Sequence, residues 1–152
     1  MWAWWPAILW SGVIFTMSTD AFSAEHTKWF FEPLIRWLIP GLAQSQYDFI
    51  HHLIRKCAHF TEYFVYCVLL YRAVRGCQAG WRWVWGINAL FIAAGYSVLD
   101  EFHQSFVASR TASAYDSLLD STGAFFALGV LWLWFRQRRA AAAPSAASSG
   151  KI

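Results

Sequence analysis

Four stretches of the chain are almost wholly apolar: residues 2–17, 58–74, 81–99 and 117–135. Each comes near the roughly 17–25 residues that a helix needs to cross a bilayer. Residues 18–47, between the first two, read differently. There Trp29-Phe30-Phe31 and Leu34-Ile35-Arg36-Trp37-Leu38-Ile39 are followed by Pro40-Gly41. The spacing predicts a short amphipathic helix, laid along a membrane interface or packed on its neighbours. The predicted fold is therefore all-α: an integral membrane bundle of four transmembrane helices plus a short interfacial helix in the first extracytoplasmic loop. The first span is the weakest, being short and carrying Pro6. It lacks a basic leader, and Phe22-Ser23-Ala24 is a poor cleavage site, so it reads as a retained helix.

Composition agrees with this pattern. Hydrophobic residues make up 58% and charged residues only 14%, against about 25% charged in soluble domains. Eleven tryptophans fit a residue that favours membrane–water boundaries. The length suits one membrane domain, residues 1–139. Residues 140–152, rich in Ala and Ser with Pro144, read as a disordered cytoplasmic tail. The three cysteines, Cys57, Cys67 and Cys77, match no zinc or CxxC spacing and read as apolar fillers.

Charge sets the expected orientation. Arg72, Arg75 and Arg82 crowd the turn between the second and third spans, and Arg136, Arg138 and Arg139 follow the fourth. The excess of cations places both regions, and with them both termini, on the cytoplasmic side of the inner membrane. Lys28, Arg36 and Arg110, on the other side, are fewer and more scattered.

The remaining polar residues recur at helical steps. On the second span His52, Arg55 and Lys56, His59, Glu62 and Tyr63, and Tyr66 share a face. On the third, Tyr96, Asp100, and His103 with Gln104 do so, with Glu101 beside them. Ser113, Asp116, Asp120 and Gly123 share a face of the fourth. All three faces belong to the outer end of the bundle. The simplest packing aims them at one another, so that Arg55, Lys56 and Arg110 meet Asp100, Glu101, Asp116 and Asp120 in a polar chamber. Opposite charges lower the cost of burial, and Gly95, Gly123 and Ala124 allow close helix approach. Ser113 with Asp116 resembles a capping box, so part of its role is to start the fourth helix. His51 and His52 read as solvated. No metal or other cofactor is expected, since no recognised ligand spacing is present and the nearby cations repel a metal.

At these residues the chain resembles the VanZ-like family, named for a small membrane protein of glycopeptide-resistance clusters. The matching stretches are Arg55-Lys56-Cys57-Ala58-His59-Phe60-Thr61-Glu62-Tyr63, then Asp100-Glu101-Phe102-His103-Gln104-Ser105-Phe106, then Arg110 and Asp116 through Gly123. The first span, ending in Phe15-Thr16-Met17-Ser18, is also typical. Two departures stand out. Ala108-Ser109 occupy the place of a frequent Pro-Gly, and Asp120 stands where the family often has Asn. The resemblance implies a multi-spanning helical membrane protein and, for the founding member, reduced susceptibility to teicoplanin-like antibiotics.

The expected function is to bind or modify an anionic envelope molecule in an outward-facing polar chamber. The ligand would be a membrane lipid, an undecaprenyl-linked intermediate or a peptidoglycan precursor; no nucleic-acid partner is expected. Arg55, Lys56 and Arg110 would hold phosphate or carboxylate. His59, Glu62, Asp100 and Asp116 would orient these cations or relay protons, Tyr63 and Gln104 would add neutral hydrogen bonds, and Glu101 and Asp120 complete the ligand-binding set. A second expectation is an intramembrane enzyme with His59, Glu62, Asp100, Glu101 and Asp116 as acid–base candidates. A third is a structural protein whose polar cluster only locks helices together.

Overall fold

The computed structural model describes residues 2–19, 24–107 and 114–142. These form five helices and, among the described residues, no strand: α1 (Trp5–Met17), α2 (Ala24–Leu38), α3 (Gln44–Arg75), α4 (Trp83–Gln104) and α5 (Ala114–Ala142). Pro6 lies in the first turn of α1. A backbone N–H would have no intrahelical partner there, so the proline starts the helix rather than breaking it.

α5 is the one described helix both long and apolar enough to cross a membrane; its most apolar 18-residue window has a mean hydropathy of 1.5. α1 is apolar but has only 13 residues. α3 has 32 residues, which at about 1.5 Å per residue makes it roughly 48 Å long, well beyond a hydrocarbon layer of about 30 Å. Its start is polar, and α2 packs there. Lys28 pairs with Asp48 at 3.2 Å, and Thr27 lies 3.3 Å from the His51 ring. The amphipathic segment is thus a helix with one face on α3, while Trp29, Trp37 and Leu38 stay exposed. α5 continues to Ala142, past the predicted end of the membrane domain, and residues 143–152 lie outside the described residues.

The core sits where α3, α4 and α5 meet, with α1 laid against α3. Gly123 shows why α3 and α5 come so close. A Cβ on it would stand 2.3 Å from the Phe60 carbonyl oxygen. Ala124, next to it, is fully buried. Gly95, also expected to permit close packing, has nothing within 4 Å of where its Cβ would be. At the other end Tyr71 stacks on Trp81 with ring centroids 5.0 Å apart, and Phe135 packs on both. Gly76 closes α3 with φ +59°, a conformation that costs glycine little.

Beside this apolar core the bundle also buries polar side chains and exposes large apolar ones. Ser18, Ser97, Asp100, Glu101, Gln104 and Asp120 are buried, while Phe91, Val98, Phe102, Leu118, Phe125 and Phe126 are exposed.

Candidate functional site

Antiparallel packing of α3, α4 and α5 brings the polar ends of all three together, and the end of α1 joins them. Two layers result. The outer layer is partly exposed. Lys56 of α3 forms an ion pair with Asp116 in the first turn of α5, where a carboxylate also favours the helix dipole. About a quarter of each side chain remains accessible, 28% and 24%. One turn along α3, His59 places Nδ1 3.6 Å from Oδ1 of Asp120. Glu62 follows on the same face, and its backbone carbonyl accepts a hydrogen bond from the Trp10 indole of α1 at 3.0 Å.

The inner layer is closed. Asp120 has no exposed surface. Its Oδ2 accepts a hydrogen bond from Ser97 at 3.1 Å, and the same hydroxyl lies 3.0 Å from that of Ser117. Asp100 accepts from Ser18 at 2.8 Å and from Gln104 at 3.0 Å, both at Oδ2. Gln104 also reaches Ser18 at 3.3 Å. Tyr63, fully buried, lies close to Asp100, Asp120 and Tyr96. Glu101, Asp100 and Glu62 are near enough to Asp120 for their charges to act on it. A buried carboxylate is tolerated when hydrogen bonds and opposite charge replace water, and the inner layer supplies the hydrogen bonds.

The helical faces read from the sequence therefore bring Lys56, His59, Glu62, Tyr63, Asp100, Glu101, Gln104, Asp116 and Asp120 to one end of the bundle. Arg55 is different: among the described residues it makes no ion pair, and its charge acts on His51. Arg110, Ser113 and the Ala108-Ser109 departure lie outside the described residues. His51 corrects the expectation of a solvated ring. It is only 3% exposed, stacked on Tyr47 and edge-on to Phe31, because the start of α3 is covered by α2. Burial, reinforced by Arg55 and Lys28, pushes its imidazole below the ordinary value of 6.5. His52, one residue on, is exposed.

Two residues of the inner layer were not singled out from sequence. Ser18 and Ser97 look like incidental small residues in or beside apolar runs. Both are buried hydroxyls that hold a carboxylate from another helix. Their sequence signals were slight: Ser18 closes the Phe15-Thr16-Met17-Ser18 end of the first span, and Ser97 stands one turn before Asp100–Glu101. Among the described residues, no three His, Cys, Asp or Glu side chains converge as a metal site would require. A cavity of about 500 Å³, lined by Ile39, Leu42, Phe49 and Ile50 among others, lies at the turn from α2 to α3 rather than at the cluster.

The sequence profile of the VanZ/LLP1 family matches residues 3–136. That span includes α1 to α4, α5 as far as Arg136, and every residue of the cluster. No curated protein and no solved structure shows a significant match.

Proposed function

The chain belongs to the VanZ/LLP1 family, and from that premise we propose that it is an envelope membrane protein that binds an anionic headgroup at its outer polar layer. In this reading α1, α3, α4 and α5 cross the membrane and α2 lies at its outer interface. Residues 1–139 act as one membrane domain. The exposed apolar faces of α4 and α5 support lipid contact, since large apolar patches need a partner. Length supports it as well. Asp116 and Arg136 are 20 residues apart on α5, about 30 Å of helix, which matches the hydrocarbon thickness.

The observation that carries the binding reading is the contrast between the two layers. The inner layer is buried and hydrogen-bonded, which suits locking helices together. The outer layer holds a cation, Lys56, with a partly accessible face and, among the described residues, one carboxylate partner, Asp116. A phosphate or carboxylate arriving from outside would compete with Asp116 for the ammonium. His59 stands one turn deeper to donate a second hydrogen bond once protonated. An undecaprenyl-linked intermediate, a peptidoglycan precursor or a phospholipid carries such a group. Family membership supports an envelope role of the teicoplanin-resistance kind.

Lys56→Gln tests the reading. Binding of undecaprenyl phosphate to pure protein, followed by native mass spectrometry, should weaken by roughly tenfold or more, as expected for loss of a charge-assisted contact. Unchanged affinity in a variant that melts normally would refute it. The His59–Asp120 approach favours one further reading, an enzyme in which this pair moves a proton. It requires turnover of a labelled envelope lipid that His59→Ala and Glu101→Gln abolish without unfolding.

A further inference from the structure

The opposite end of the bundle is built from different chemistry. Arg72 and Arg75 end α3, Arg82 precedes α4, and Arg136, Arg138 and Arg139 lie in the last turns of α5. No Asp or Glu occurs between residues 71 and 99 or between 121 and 142. Among the described residues none of these six arginines makes an ion pair. Four of them lie over aromatic rings: Arg75 on Phe135, Arg82 on Trp85, Arg136 on Trp132 and Arg138 on Trp134.

Arginines at helix C-termini also complement the helix dipole, and at a membrane boundary they anchor orientation. Those roles require no particular geometry. Arg136 and Arg139 have one. With Trp81, Trp132 and Phe135 they line a recess of about 130 Å³ between the end of α5 and the α3–α4 turn. That is smaller than the roughly 300–1,000 Å³ of sites for whole drug-sized ligands, and so suits one small group. Arg139 spends one N–H on the Trp81 carbonyl at 3.1 Å, which fixes its position and leaves four of its five donors. Trp81 is only 8% exposed, and its indole N–H is buried with no acceptor among the described residues.

We infer that this recess binds the phosphodiester of an anionic phospholipid, with Arg136 and Arg139 as its ligands. Two neighbouring guanidiniums without a carboxylate match a phosphodiester in charge and in donor geometry. The exposed apolar residues Trp83 and Leu133 nearby point to a lipid rather than a free anion, because they offer a surface for acyl chains. The site is remote from the Lys56–Asp116 layer. It rests on the reading of α5 as a membrane span but not on any ligand at that layer.

The test compares lipids of equal chain length. Purified protein is offered phosphatidylglycerol and phosphatidylethanolamine together, and bound lipid is counted by native mass spectrometry. Phosphatidylglycerol should be retained preferentially. Arg136→Gln, which removes no hydrogen bond seen in the structure, should cut that preference about fivefold. Arg138→Gln removes the same charge from the same helix end outside the recess, and should leave the preference within about twofold. Equal losses in the two variants would mean diffuse attraction and overturn the site, as would no loss in Arg136→Gln. Inorganic phosphate should not displace the lipid; displacement at equal concentration would overturn the lipid assignment.

Discussion

Asp120 is the residue where the chemistry of the cluster is most constrained. It is fully buried, takes one hydrogen bond from Ser97, and faces His59. Asparagine keeps an acceptor for Ser97 and removes the charge. Asp120→Asn should therefore change stability by less than about 1 kcal/mol, while Asp120→Leu should cost about 1–3 kcal/mol by leaving polar neighbours without an acceptor. Melting in detergent would separate the two, and equal melting of both variants would mean that Asp120 holds nothing. His51 makes a second residue-scale prediction. Its folded pKa is lowered by burial, Arg55 and Lys28, with His52 acting the same way and Asp48 opposing. Its contribution is therefore intact above 6.5, where folded and unfolded rings are both neutral. It is lost as pH falls below 6.5, because the unfolded chain takes up a proton that the folded chain resists. Melting temperature should drop between about pH 7.5 and 5.5, and His51→Asn should flatten that part of the profile. An unaltered profile would place the titration elsewhere.

At the scale of helices, periodicity reveals which residues share a face but not how closely two faces meet. The steps from Lys56 to Tyr63 and from Asp116 to Gly123 correctly bring α3 and α5 together. They do not separate Gly123, where an added Cβ would strike the Phe60 backbone, from Gly95, where it would meet nothing within 4 Å. Composition treats both as small residues; only the crossing point distinguishes them. The polar start of α3 was hidden for a related reason. Hydropathy marks the apolar part of a helix, and this helix extends well before it, so the burial of His51 under α2 had no signal in the local pattern. Gly123→Ala should force α3 and α5 apart and destabilise the protein by about 1–3 kcal/mol, as overpacking does. It should also weaken the Lys56–Asp116 and His59–Asp120 pairs that span the same interface. Gly95→Ala should be neutral or slightly stabilising, since alanine favours helix over glycine by about 1 kcal/mol. Matched melting curves of the two variants decide this; a Gly123→Ala protein as stable as wild type would show that the interface yields.

For the whole molecule, the two ends differ in a way that native cysteines can report. The carboxylates of α4 and α5 lie at one end and the six arginines at the other, with about 30 Å of α5 between Asp116 and Arg136. In the orientation we propose, following the positive-inside rule, the arginine end faces the cytoplasm. Cys77 is exposed in the turn beside Arg75, Cys57 is exposed next to Lys56, and Cys67 is buried between them. In a Cys57→Ser variant, a membrane-impermeant maleimide should leave Cys77 unlabelled in intact spheroplasts and label it after permeabilisation. Cys67 should react only after denaturation. Labelling of Cys77 from outside would invert the orientation and put the Lys56–Asp116 layer on the cytoplasmic face. It would then meet cytoplasmic anions instead of envelope ligands, and the headgroup reading of that layer would fall with it.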